Sequence, residues 1–205
     1  MDGDSVGPGP DSERRPVAPS ESDACRLETE RLVLRRWVEA DRAPFAAMNV
    51  DPEVWRYFPS PLTRAQSDAL VDKIAEQFHR TGYGLWALEV KGGPAFIGFT
   101  GLAPLHPLVP HHGIEVGWRL ITSAWGKGYA TEAARAAVAY GFDIAGLDEI
   151  VSVTATVNAP SRAVMERLGM THDPADDFDH PVLAAGSPLR RHVLYRLGAR
   201  PATAL

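Results

Sequence analysis

The sequence has only one cysteine, Cys25, among 205 residues. No intrachain disulfide can form, and a lone thiol fits a reducing cytosol. Long apolar runs are also missing. None approaches the roughly 20 residues that span a bilayer. The first residues lack the basic-then-apolar pattern of a secretory signal. A cytoplasmic location with no membrane partner is therefore expected. Basic charge is in deficit: 21 Lys and Arg stand against 26 Asp and Glu, for a net charge of -5. Nucleic acid is not expected as a partner, because phosphate backbones select a basic footprint. A small phosphorylated ligand is still allowed, since it needs only one local anion site. Zinc-ligand spacing is absent despite seven histidines. The pair His111-His112 reads as surface loop, and no metal is expected. There are no internal repeats.

Residues 1–24 are mostly Gly, Pro, Ser and charge. So few apolar side chains cannot offset the entropy of ordering, and a disordered tail is expected there. The folded domain is expected over residues 25–198, with a short tail at 199–205. Its length suits one domain with one core.

Within it, Arg31–Trp37 reads as a strand with Leu32 and Leu34 on one face. A helix is expected over Glu39–Asn49, ended by Asp51-Pro52. Thr63-Arg64-Ala65-Gln66 is a capping-box pattern opening a second helix, with Leu70, Ile74 and Phe78 on its buried face. Leu85–Val90 and Ala95–Leu102 read as a hairpin around Lys91-Gly92-Gly93-Pro94. Ile114–Ile121 is a further strand, Gly128–Ala145 a long Ala-rich helix, and Ile150–Val157 a strand rich in Val and Thr. Pro160–Leu168 is a short helix, with Gly169 where a left-handed cap belongs. Arg190–Leu197 is a last strand. The order is β-α-α-β-β-β-α-β-α-β. The fold class is α/β (α+β), a mixed, mostly antiparallel central sheet flanked by helices. The strand-helix-strand unit Ile114–Val157 is expected to be parallel and right-handed.

The chemistry concentrates in Trp125-Gly126-Lys127-Gly128-Tyr129-Ala130-Thr131-Glu132-Ala133, which leaves a strand and enters a helix. Small residues let backbone approach a ligand, and first-turn N–H groups favour an anion. Ile121 stands where a P-loop needs its first glycine, and Thr131 where a dinucleotide fingerprint needs its third. Tight helix–strand packing is the other reading of these glycines.

Four separated motifs, in order, resemble the GCN5-related N-acetyltransferase (GNAT) superfamily and its RimJ/RimL-like branch. They are Leu27-Glu28-Thr29-Glu30-Arg31-Leu32-Val33-Leu34-Arg35, Ile97-Gly98-Phe99-Thr100-Gly101-Leu102, Glu115-Val116-Gly117-Trp118 with the Trp125 string, and Asn158-Ala159-Pro160-Ser161 with Leu168-Gly169-Met170. The resemblance implies the GNAT fold and acetyl transfer from acetyl-CoA, the co-substrate, to a primary amine without an acyl-enzyme. It implies that backbone N–H groups of Gly126, Lys127, Gly128, Tyr129, Ala130 and Thr131 hold the pyrophosphate. Trp118, Arg119 and Leu120 would lie along the pantetheine arm, and Asn158 would contact the cofactor or cap the following helix. Glu115 is the candidate base, and Ser161 the candidate proton donor. Trp55, Tyr57, Phe58 and Trp86 would wall the acceptor site, or serve as core. The loop 103–112 and the segment 173–189 are expected to shape that site. The acceptor, a protein N-terminus or a small-molecule amine, and the choice of monomer or homodimer stay open. The alternative function is a non-catalytic acyl-CoA sensor.

Overall fold

The structure, a computed structural model, describes residues 25–199. The two expected tails, apart from Ala199, lie outside the described residues. Fourteen named elements make the fold here. In chain order they begin with β1 (Leu27–Glu28), β2 (Leu32–Arg35), α1 (Arg42–Val50), α2 (Pro52–Trp55), α3 (Arg64–Thr81), β3 (Leu85–Val90) and β4 (Gly98–Pro104). They continue with β5 (Ile114–Leu120), α4 (Tyr129–Asp143), β6 (Glu149–Ala155), α5 (Ala159–Arg167), β7 (Thr171–His172), β8 (Phe178–Asp179) and β9 (Arg191–Gly198). The expected order survives for every long element. The short pieces β1, α2, β7 and β8 are additions, too brief to carry a periodic signal.

One sheet runs β1-β2-β3-β4-β5-β6-β9-β7, with β8 also paired to β9. Every pairing is antiparallel except β5–β6, which is parallel as expected. The first strand is shorter than the Arg31–Trp37 expected, and Arg35 at its end ion-pairs Asp41 at 2.7 Å and Glu89 at 3.0 Å. The hairpin's second strand starts at Gly98 rather than Ala95. The Ala95 carbonyl instead accepts from Arg35 Nη2 at 2.7 Å. The last strand is not a free edge, since β7 and β8 both pair with its outer side.

Local signals explain the helices. Thr63 Oγ1 accepts from the Gln66 N–H at 3.2 Å, and Gln66 Oε1 accepts from the Thr63 N–H at 2.8 Å. That reciprocal box opens α3, and Val71, Ile74 and Phe78 bury its inner face. On α4 the small residues Ala133, Ala134 and Ala137 are fully buried. A Cβ on Gly141 would stand 2.7 Å from Ile150 Cδ1, so glycine lets the helix lie this close to β6 without displacing that side chain. The main core fills the space between α4 and the sheet, around Leu32, Leu34, Leu102, Val116 and Ile150. A second cluster lies under α1 and α3, around Phe45, Met48, Val71, Ala87 and Phe99.

Candidate active site

The site grows from the one parallel pair. Strands β5 and β6 each run seven residues, yet they are in register only at Ile114↔Ile150 and Glu115↔Val151. Past Glu115 they part. Side chains replace the missing ladder. Ser152 Oγ donates to the Val116 carbonyl at 2.9 Å, and the Val153 N–H donates to Glu115 Oε1 at 3.4 Å. A cavity of about 1540 Å³ opens along this splay. That exceeds the several hundred Å³ of a usual single-ligand site and suits two substrates at once.

At one end stands the glycine turn. Gly126 and Gly128 have φ of 72° and 81°, a left-handed backbone that side chains resist. They swing the chain so that α4 begins at Tyr129, with no side chain capping its first turn. Space around Gly126 is open where a Cβ would stand. Gly126, Gly128, Tyr129, Ala130 and Thr131 line the cavity. Lys127 is exposed and is not part of that lining. Its carbonyl accepts from Arg31 Nη1 at 2.9 Å. Glu132, on the first turn of α4, fastens the turn to the β1–β2 hairpin. Its carboxylate accepts from Thr29 Oγ1 at 2.6 Å, the Arg31 N–H at 2.9 Å and Arg31 Nε at 2.7 Å. These bonds hold the carboxyl below the usual range despite its partial burial. The sequence reading missed this clamp, because its partners lie some hundred residues apart.

The middle of the cavity holds the candidate catalytic groups. Glu115 keeps partial solvent access through the cavity, but protein crowds its carboxylate. Burial pushes its pKa up to about 7, and the Val153 N–H only partly opposes this. Asn158 caps α5, its Oδ1 accepting from the Ser161 N–H at 3.3 Å, while its Nδ2 donates to Thr154 Oγ1 at 2.9 Å. Asn158 and Ser161 both line the cavity, as do Trp118, Arg119 and Leu120. Tyr195 lies in the core, its hydroxyl donating to Glu166 Oε1 at 3.3 Å.

The far wall mixes segments distant in sequence. Tyr57 and Phe58 line it. Trp86 does not, which corrects its expected substrate contact. Its side chain is wholly buried in the main core, and its Nε1 donates to the Cys25 carbonyl at 2.6 Å. Trp55 is also outside the lining, since α2 turns Val54 and Arg56 to the cavity instead. His106, His180 and His192 also line this wall. The rings of His180 and His192 lie 4.9 Å apart, and burial lowers both pKa values. His111 is not loose surface. It packs on Phe178 and shares a hydrogen bond with the Asp176 carbonyl at 2.9 Å, joining the 103–112 loop to the 173–179 segment. Asp176, Asp177 and Asp179 are spent on Arg196, His172 and Arg190. No group of three metal-ligating side chains is found among the described residues. No described helix is long and apolar enough to cross a membrane.

A family model described as "Acetyltransferase (GNAT) domain" matches residues 31–171. The chain belongs to the GNAT acetyltransferase family. FsC-acetyl coenzyme A-N(2)-transacetylase of Aspergillus fumigatus is 32% identical over 154 residues, covering 71% of this chain and 65% of that protein. The chain thus spans just under two thirds of that relative's length. The crystal structure of an acetyltransferase from Agrobacterium tumefaciens superposes with a TM-score of 0.69 at 26% identity, covering 93% of this GNAT chain and all of the other. The ribosomal-protein-S5-alanine acetyltransferase of Vibrio fischeri has the same TM-score at 18% identity, over 84% of this chain and 96% of that one. At that identity the likeness is one of fold.

Proposed function

We propose that this GNAT chain is an N-acetyltransferase that moves an acetyl group from acetyl-CoA to a primary amine by direct attack within a ternary complex. One observation carries the reading. An anion-seeking helix start opens into a strand splay, and a carboxyl poised near neutrality stands on the wall of that splay. Acetyl-CoA supplies an activated acetyl thioester and a thiol leaving group. The residues present suit it. The turn from Gly126 to Thr131 offers unpaired N–H groups to a pyrophosphate, and the gap beside Trp118 and Leu120 offers an extended slot to the pantetheine arm.

Glu115 takes a proton from the incoming ammonium, directly or through water, and leaves the amine nucleophilic. Its raised pKa matches this work near pH 7. Ser161, at the start of α5, supplies a proton to the departing sulfur. Cys25 is buried, and its Sγ donates to the Gly82 carbonyl at 2.9 Å, so it is in no position to carry an acyl group. The acceptor, a small amine or a protein N-terminus, enters between Phe58 and the histidine-lined wall.

Calorimetric titration of acetyl-CoA, CoA, ATP and NAD into wild type and Gly128→Asp tests the first half of this reading. A carboxylate at that turn repels a pyrophosphate, so CoA binding is expected in wild type and lost in the variant. Thiol release with an amine panel tests the second half. A folded wild type that ignores CoA would end the proposal.

A further inference from the structure

Strand β5 alternates its side chains. Val116 and Leu120 join the core with α4, and Glu115, Gly117 and Arg119 lie on the opposite strand face; all but Val116, with Trp118, line the cavity. Four residue steps along the strand set the Cα atoms of Glu115 and Arg119 about 13 Å apart. Between them Gly117 has open space where a Cβ would stand. The floor is therefore bare, with an ionisable group at each end.

The Arg119 end is unusual. Nη1 donates to Asn49 Oδ1 at 2.7 Å, and the guanidinium lies 3.9 Å from the Phe58 ring centroid and 5.7 Å from that of Phe99. Nε is buried and has no hydrogen-bond acceptor. Asn49 is a neutral partner, buried and tied through Nδ2 to Ser67 Oγ. Among the described residues, Arg35, Arg190 and Arg196 each reach an aspartate within 3.1 Å. Arg119 has no such carboxylate. Burial without a counter-charge depresses its pKa to about 10, which still leaves it a cation at neutral pH. Enclosing an unpaired cation is costly, and with Nη1 on Asn49 and Nε enclosed, Nη2 is the donor left for an incoming carboxylate. The glycine turn has its own donors for phosphate, whereas Arg119 sits with Asn49 of α1 and with Phe58.

We propose that Arg119 sets acceptor specificity by binding a carboxylate on the acceptor, whose amine then points along Gly117 to Glu115. The preferred acceptors are amino acids or other amines bearing a carboxylate, rather than plain amines or polyamines. This rests on the acetyltransferase reading. The backbone of Arg119 is still free to serve the cofactor while its side chain serves the acceptor.

The test pairs glycine, β-alanine and γ-aminobutyrate each with its amide, using wild type, Arg119→Met and Arg119→Lys. Met keeps the length and the packing on Phe58, and Lys keeps the charge without the guanidinium. In wild type at least one acid should exceed its amide by about tenfold or more in kcat/KM, the scale of one lost hydrogen bond to a charge. In Arg119→Met the preference should vanish through KM, with acetyl-CoA affinity unchanged, and Arg119→Lys should keep part of it. Calorimetry of the same compounds and their N-acetyl products on CoA-saturated protein should show the same preference without turnover. Equal use or binding of acid and amide overturns the proposal. So does a tenfold loss of CoA affinity in Arg119→Met, which would assign the charge to the cofactor. A wild-type preference for succinyl-CoA over acetyl-CoA that Arg119→Met removes would assign it to the acyl chain and also overturn it. Carboxylate-selective binding with no acetylation of any amine would uphold Arg119 and remove the acetyltransferase reading.

Discussion

Glu115 shows how one residue's chemistry depends on its surroundings. An ordinary glutamate is ionised well below neutrality, whereas burial raises this one to about 7. As a base it works only when ionised, so kcat/KM should rise with pH through about 7 and level above it. Burial lowers the pKa values of His180 and His192 on the same cavity, so neither accounts for that limb. Glu115→Gln should lower kcat/KM by about 10²–10⁴-fold and abolish the limb, read as a pH–rate profile. Stability carries the opposite sign. A carboxyl whose folded pKa is raised holds its proton more tightly in the native state. Native stability should therefore fall as pH climbs from about 4.5 to about 7, and denaturant midpoints of Glu115→Gln should lose that slope. The sequence pointed to Glu115 through its motif. Its crowding and its bond to Val153 were not legible, because both come from a strand some forty residues away. Trp86 was misread for a related reason. Tryptophan serves cores and ligand walls equally well, and composition does not say which.

Among the elements, the glycine turn was the most legible and its support the least. Two glycines before an Ala-rich helix are a local signal, and the left-handed turn follows from it. The clamp from Glu132 to Thr29 and Arg31 joins residues about a hundred positions apart. Glu132→Ala removes an acceptor shared by three donors and leaves Arg31 tied to the turn through the Lys127 carbonyl. Loosening the turn should raise the Kd for CoA by about tenfold, the scale of one charge-assisted hydrogen bond, with kcat largely kept. Calorimetry and steady-state kinetics read the two effects separately. An unchanged Kd would mean that the turn is rigid without its clamp. The short strands β7 and β8 mark the other limit. Two residues each carry no periodicity, yet they cover β9 and so decide that the last strand offers no open edge.

At the scale of the molecule, the cavity is where distant segments converge: the α2 region, the 103–112 loop, β5, β6, and the stretch from His180 to His192. Gly117 is its floor, and a side chain there meets only open space. Gly117→Val should therefore fold with a Tm near wild type and bind CoA, yet lose acetyl transfer by about 100-fold or more through exclusion of the acceptor. Retained transfer would show that the acceptor sits elsewhere. The sequence alone determined the order of the long elements, the antiparallel sheet with its single parallel pair, the capping of α3 and the glycine turn before α4. All of these follow from periodicity, propensity and chain chirality, which act over a few residues or one connection. Only the tertiary structure decided which aromatic rings face the cavity, which acids are spent on arginines, and that Arg119 is enclosed without an acid. Those outcomes depend on desolvation and on partners brought together by the sheet, and no local stretch of chain encodes either.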